Sequence, residues 1–294
     1  MPAPLFGDLR ACIHRFRLGA FEVTTILDGA QARQGLSPPF GIDRGAEEVQ
    51  KLATEHALPV DRFENTYTPA VVNPGRELIL FDTGNGTERK DVAVGRLRER
   101  LALAGYAPEQ VDIVAFTHVH PDHIGGVYHA GQLAFTNARY ALGQLEFDAW
   151  SRGDRIPPQR QQNLALFRAT LLPLADRIAF LHPGEELVPG VRAVAAFGHS
   201  LGHLAYTIES EGKLVLLWGD TTNHYVLSLQ RPDWPAAFDD DKPQAVATRK
   251  RILDMAASER CTVIGHHMPF PAVGFVERHG GAYRWSAASY HHFA

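Results

Sequence analysis

Hydrophobic and polar positions in this chain alternate over short runs, then shift to a helical period, then alternate again. Phe21, Val23, Thr25 and Leu27 alternate behind Leu18-Gly19-Ala20, predicting a hairpin-like opening that ends at Asp28-Gly29-Ala30. Residues 31–42, with Gly35, Pro38, Pro39 and Gly41, read as a loop, and Asp43 is placed to cap a helix over 45–56. Residues 68–72 and 77–81 predict a strand pair turning at Asn73-Pro74-Gly75. An amphipathic helix over 92–103 then ends at Gly105, and the apolar run 111–116 is a buried strand. Further on, 139–142 predicts a strand, 144–150 and 159–171 helices around Pro157-Pro158, and 192–197 another strand. Residues 204–208 and 213–218 form a hairpin around Glu211-Gly212, followed by a loop over 230–241, a helix over 244–257 and a last strand over 262–265. This succession describes an α/β chain. With 294 residues and 45% apolar content it is read as one domain, 1–294, carrying a helical insert at about 143–172.

The polar positions concentrate where the buried strand ends. Thr117-His118-Val119-His120-Pro121-Asp122-His123-Ile124-Gly125-Gly126 packs three imidazoles and a carboxylate into six residues between apolar flanks. Alternate side chains of an extended segment share a face, so His118 and His120 converge on one ion, while the turn at Pro121 aims Asp122 and His123 at a second position. A solvated loop would not gather so many ligands in so short a run. Gly125 and Gly126 allow the backbone to pass close beneath the site.

This run resembles the HxHxDH signature of the metallo-β-lactamase superfamily. Asp82-Thr83-Gly84, Gly198-His199, Gly219-Asp220 and Gly265-His266-His267-Met268-Pro269-Phe270-Pro271 follow the family's order of landmarks. The HxxFP ending is most similar to the branch containing methyl parathion hydrolase, lactonases and arylesterases. The resemblance implies an αβ/βα sandwich, two mixed β-sheets face to face with helices outside. It implies two divalent metal ions, zinc first, with manganese, iron, cobalt or nickel as alternatives for the same N/O ligand set. His118, His120 and His199 would hold one, Asp122, His123 and His267 the other, and Asp220 both. The family register selects His267, whereas strict Gly-His adjacency would select His266. Asp82 falls where family members place a carboxylate that orients a ligand histidine instead of binding metal. His203 is expected to pack or hydrogen-bond nearby.

The expected chemistry is hydrolysis by a hydroxide held between the metals, with Asp122 and Asp220 as the catalytic carboxylates. Phe147, Trp150 and Phe167 in the insert, with Phe40, Trp234 and Phe270, suggest a wall for an apolar ester-like substrate, and Trp150 and Phe167 resemble the aromatic pocket of methyl parathion hydrolases. His224, with Asn223 and Tyr225, stands near the place where some superfamily lactonases carry a tyrosine that contacts the substrate. No Arg or Lys cluster adjoins the motifs. Lactones, aryl esters and organophosphate triesters therefore rank ahead of thioesters and β-lactams.

Two rival chemistries use the same residues. Gly198-His199-Ser200-Leu201-Gly202 satisfies GxSxG, making Ser200 a serine-hydrolase nucleophile, but the elbow needs a helix after the serine and a hairpin pattern follows. A flavodiiron-like redox protein would place a carboxylate where His120 stands. A net charge of −4 with no basic stripe argues against a nucleic-acid partner. No 18-residue apolar window suggests a membrane span, and residues 1–10 show no secretory pattern. Cys12 and Cys261 form no CxxC pair, in keeping with a cytoplasmic protein acting on a small molecule, alone or as a homodimer.

Overall fold

A computed structural model describes residues 10–86, 93–153 and 156–293. Among these residues the strands run in chain order as β1 (Ile13–Leu18), β2 (Phe21–Ile26), β3 (Gly29–Gln34), β4 (Arg62–Tyr67), β5 (Ala70–Asn73), β6 (Ile79–Phe81), β7 (Ile113–Ala115), β8 (Tyr128–His129) and β9 (Gln132–Leu133). They continue as β10 (Arg139–Gly143), β11 (Ile178–Leu181), β12 (Glu186–Val188), β13 (Val191–Ala195), β14 (Leu204–Ser210), β15 (Lys213–Leu217), β16 (Thr262–Ile264), β17 (Val273–His279) and β18 (Ala282–Ala287). The helices are α1 (Ala46–Glu55), α2 (Leu97–Leu103), α3 (Pro121–Ile124), α4 (Gln144–Arg152), α5 (Gln161–Thr170), α6 (Leu227–Gln230) and α7 (Lys242–Glu259). None of them is long and apolar enough to cross a membrane.

Two mixed seven-stranded sheets, in the orders β1-β2-β5-β6-β7-β10-β11 and β12-β13-β14-β15-β16-β17-β18, make the expected αβ/βα sandwich. Period-2 alternation explains the layering. Val72, Ile79, Phe81, Ile113 and Ala115 point between the sheets, where they meet Val191, Tyr206, Ile208 and Val215 of the second sheet. Their neighbours Val71, Leu80 and Val114 point outward and are covered by Leu97 and Leu101 of α2 and by Trp150 and Phe167 of α4 and α5. Strands covered on both faces read as continuous apolar runs, which is why 111–116 carries no polar alternation. The outer face of the second sheet is closed by Ile252, Leu253 and Ala256 of α7. That helix starts where Asp241 accepts a hydrogen bond from the Gln244 N–H at 3.1 Å, an N-cap.

Several elements depart from expectation. Residues 29–34 are a strand, not loop, paired in an antiparallel ribbon with β4, for which the sequence carried no prediction. Ala30 and Ala32 are too small to mark a hydrophobic face, so only the pairing reveals the ribbon. Helix α1 forms, but Gly45 is its N-cap and no side chain caps it. Helix α2 covers only the end of the predicted 92–103 segment; residue 92 lies outside the described residues, and Ala93 and Gly95 have positive φ. β16 is not the last strand, since β17 and β18 extend the sheet to an edge with intermediate or exposed positions that blur alternation.

Candidate metal centre

The C-terminal ends of β6, β7, β13, β15 and β16 open on one edge of the sandwich. Asp82, the 117–126 turn, His199, Asp220 and the His266-His267 pair each follow one of these strands directly or within a few residues. Backbone contacts lock the turns together: the Thr83 N–H and hydroxyl both donate to the His123 carbonyl, at 2.7 and 2.8 Å. A Cβ on Gly126 would lie 2.1 Å from the Thr83 carbonyl oxygen, so only glycine fits that crossing.

Three groups of side chains are each spaced to hold an ion, with ligand atoms within 4.8 Å of one another: His118, His120 and His199; Asp122, His123, His266 and His267; and His118, His123 and Asp220. Asp220 spans them, its Oδ2 lying 3.3 Å from His199 Nε2 and 2.8 Å from His267 Nε2 and its Oδ1 3.4 Å from His123 Nε2. Five rings are braced from behind. His123 Nδ1 meets Asp82 Oδ2 at 2.8 Å, His199 Nδ1 meets Asp239 Oδ1 at 3.0 Å, and His267 Nδ1 meets the Thr66 carbonyl at 2.7 Å. His118 Nδ1 meets Thr117 Oγ1 at 3.0 Å, and Thr117 in turn donates to Asp82. His120 is the reversed case, with Nε2 at 3.3 Å from Asp240 and Nδ1 turned to His199 Nε2 at 3.0 Å. An imidazole held this way through one nitrogen presents the other as a lone-pair donor of fixed direction.

The donor set fits a cation. His118 Nε2 and His266 Nε2 are buried with no hydrogen-bond partner among the described residues. Each such orphan costs about 1–3 kcal/mol, which an ion at the focus of the rings would offset. Electrostatics point the same way. Asp220 is buried, which alone would raise its pKa, yet His267 and His123 hold it well below the usual carboxylate range. Burial lowers His199, but its hydrogen bonds to Asp220 and Asp239 bring it up to about 9. Burial and the neighbouring His199 push His203 down to about 3; neutral, it accepts the Asp220 N–H through Nε2 at 3.1 Å. Of the His266-His267 pair, both lie in the cluster, but in His267 the Thr66 contact aims Nε2 at Asp220.

A cavity of about 170 Å³ opens on the cluster, bounded by His120, Asp122, His199, Asp220 and His267 and, around them, by Arg33, Asn65, Tyr67, Arg160, Asn163, Asn223 and Phe238. A second cavity of about 310 Å³ shares Asn223 and His267 with it and is lined by Leu36, Leu58, Phe63, His224 and Tyr225, among others. These walls correct the sequence reading. Trp150 and Phe167 are fully buried, and Phe147 nearly so, in the core beneath α4 and α5. Phe40 and Trp234 pack in a satellite cluster with Phe63 and Leu227. Phe270 is half-buried and lines neither cavity; of the residues expected to meet substrate, His224 lines the second cavity, with Asn223 and Tyr225 beside it. The aromatics of the insert follow a helical stripe because that stripe faces the sheet. Nor is the site free of cationic side chains: Arg33 and Arg160 reach it from β3 and from the turn before α5, positions far from every motif.

Ser200 is no nucleophile. Its side chain is inaccessible, donates to Glu146 Oε1 at 2.5 Å and accepts from Trp150 Nε1 at 3.2 Å, and a turn and β14 follow it instead of a helix. No local pattern marks Asp239, which joins His199 to the buried Arg249 (2.8 Å), or Glu146. Isolated acids outside a motif are legible only once the chain is folded.

Comparison with known proteins agrees with this geometry. An N-acyl homoserine lactonase of Bacillus cereus is 28% identical over 169 residues, 57% of this chain, and the match spans about 60% of that relative's length. A ribonuclease Z of Methanothermobacter thermautotrophicus is 39% identical over 80 residues, 27% of this chain and 22% of its own. The solved structure of AidC, a dizinc quorum-quenching lactonase with a bound product, superposes with a TM-score of 0.87 at 24% identity, covering 95% of this chain and 98% of that one. Residues 64–267, which contain every landmark from the β4 ribbon to His267, match the model of the metallo-beta-lactamase superfamily, and the chain belongs to that family.

Proposed function

We propose that this protein is a dinuclear metal-dependent hydrolase that opens lactones or cleaves related esters of small molecules. The observation that carries the reading is the gathering of His118, His120, His199, Asp122, His123, His267 and Asp220 into adjoining groups whose ligand atoms lie within 4.8 Å of one another. Bound there, two divalent ions, zinc by preference, would polarise the scissile carbonyl and lower the pKa of water toward about 7, supplying hydroxide at neutral pH.

The chain's own residues supply the rest. Asp122, the most accessible of the cluster's carboxylates, sits at the cavity with Oδ2 3.4 Å from His267 Nε2, placed to take the proton of the attacking water and return it to the leaving alkoxide as the C–O bond breaks. Asn163 Nδ2 is buried, without a hydrogen-bond partner among the described residues and on the cavity wall, a donor for a substrate carbonyl. Asn223 Oδ1, also unpartnered, offers an acceptor where the two cavities meet. A polar head at the metals with an apolar arm in the second cavity replaces the aromatic-insert pocket as the basis for substrate preference. Likeness to the N-acyl homoserine lactonase supports lactones as the first class; aryl esters stand beside them in this reading, with organophosphate triesters as a side activity. Two free cysteines support a cytoplasmic setting.

The test is a hydrolysis panel on zinc-loaded protein: acyl-homoserine lactones, nitrophenyl esters, methyl parathion, a glutathione thioester and a β-lactam, each with and without chelator. The expected result is the highest kcat/KM on a lactone, abolished by chelation and restored by zinc. Preference for the thioester or the β-lactam, or activity indifferent to chelation, would overturn it.

A further inference from the structure

Glu146 lies in the first turn of α4, in the insert and not in any motif, and is completely buried. Its Oε1 accepts hydrogen bonds from the Val119 N–H at 3.1 Å and the Ser200 hydroxyl at 2.5 Å, and its Oε2 accepts from the Gly202 N–H at 2.6 Å. Val119 stands between His118 and His120 on the loop that follows β7 in the first sheet. Ser200 adjoins His199 on the loop that follows β13 in the second. One carboxylate thus ties together the two loops that carry the three imidazoles of one metal position. We infer that Glu146 is a positioning residue that sets the separation of these loops, and through it the geometry of the His118, His120 and His199 position; the inference rests on the metal-centre reading above.

Two further features support the role. The helix is brought unusually close: a Cβ on Gly202 would sit 2.1 Å from the Glu146 backbone nitrogen, so the glycine of the GHSLG run serves this approach and not a nucleophile elbow. The serine is held from its far side by Trp150 Nε1, on the same helix one turn later, so its hydroxyl has one direction in which to donate. All three contacts to Glu146 come from donors, and an ionised carboxylate satisfies every one of them. Burial pushes the group up to about 7 against the pull of those hydrogen bonds. The carboxylate lines neither cavity, so it acts through the loops and not on substrate.

The test uses the full chain, stripped of metal and reloaded, comparing wild type with Glu146→Gln, Glu146→Asp and Ser200→Ala. Zinc affinity is measured by chelator competition, the cobalt-substituted forms by their visible absorption, and turnover with a lactone as separate kcat and KM. Glu146→Gln keeps one acceptor oxygen and must leave either the Gly202 N–H or the Val119 and Ser200 donors unmet, and Glu146→Asp keeps the charge but is too short to reach both loops. Both are expected to weaken zinc at one of two positions by about 10–100-fold, as loss of an outer support does, with an altered cobalt spectrum, lower kcat and KM changed by less than about twofold. Ser200→Ala, which keeps both backbone contacts, shows a smaller shift in the same direction and decides the matter if the Glu146 variants fail to fold. Wild-type affinity and spectrum in the variants, with only a lower Tm, would overturn the positioning role. Wild-type protein that binds fewer than two zinc ions would instead sink the metal-centre reading on which it rests.

Discussion

Five imidazoles of the cluster have one nitrogen committed to a partner behind them, and that commitment is what can be tested residue by residue. Asp82 carries the strongest case: it sits at φ 62°, a left-handed conformation uncommon outside glycine, and from there it reaches both Thr117 and His123. Asp82→Ala should free the His123 ring and weaken zinc binding about 10–100-fold, read by chelator competition, with far-UV circular dichroism unchanged. Asp220→Ala goes further, because Asp220 touches residues of both proposed positions. It should lose both metals and turnover together, and a variant retaining two zinc ions at full activity would refute the bridging role. Glu146 yields a prediction in pH. Its folded pKa of about 7 lies above the ordinary glutamate value of 4.5, so its proton is held more tightly in the folded state. The resulting stability is fully present below about 4.5 and lost as pH rises through about 7. Denaturant unfolding across that window should therefore show wild type losing ground to Glu146→Gln with rising pH; a constant difference would contradict it.

At the scale of elements, the insert has two jobs that a helical stripe alone does not separate. Trp150 and Phe167 fill the space between the α4–α5 pair and the first sheet, with Trp150 edge-on to His120 at a ring separation of 5.9 Å. Trp150→Ala should cost about 3–5 kcal/mol of stability, the range for emptying an aromatic site, measured by urea unfolding. Its KM for apolar substrates should hold. Arg160 and Asn163, on the turn before α5 and in its first turn, face the cavity instead, and Arg160 Nε also holds Asp240 at 2.9 Å behind His120. Asn163→Ala should raise KM several-fold with little change in Tm, since it removes a cavity-wall donor that has no hydrogen-bond partner among the described residues. Unchanged KM would remove Asn163 from the substrate site.

At the scale of the whole molecule, the candidate site lies on the seam of the sandwich. His118, His120, Asp122 and His123 belong to a loop of the first sheet, while His199, Asp220 and His267 belong to loops of the second. A metal bound by both halves is a crosslink between the sheets, so ligand binding and folding are linked. Free zinc at about 100 times Kd should stabilise the protein by roughly 2.7 kcal/mol per ion, seen as a rise in Tm that chelator reverses. A Tm insensitive to zinc would mean that no ion joins the two halves.

Local order is what the sequence by itself determined. The HxHxDH turn is legible because its four ligands are neighbours along the chain and the preceding apolar run says how they are presented. The hairpin of β14 and β15, the β5–β6 pair and helix α7 were readable for the same reason, their signals being periodic and contiguous. The αβ/βα architecture and the outer landmarks were legible through resemblance, since Gly-His, Gly-Asp and His-x-x-Phe-Pro are too short to speak alone. Tertiary structure decided everything that depends on which faces meet. It buried Trp150 and Phe167, brought Arg33 and Arg160 to the cavity from unremarkable surroundings, paired β3 with a β4 that showed no strand signal, and set Asp239 and Glu146 behind the imidazoles. A lone acid or arginine has the same local pattern whether it is solvated or structural, because its role lies in long-range contacts, 40 residues apart for Asp239 and His199, and packing alone chooses them.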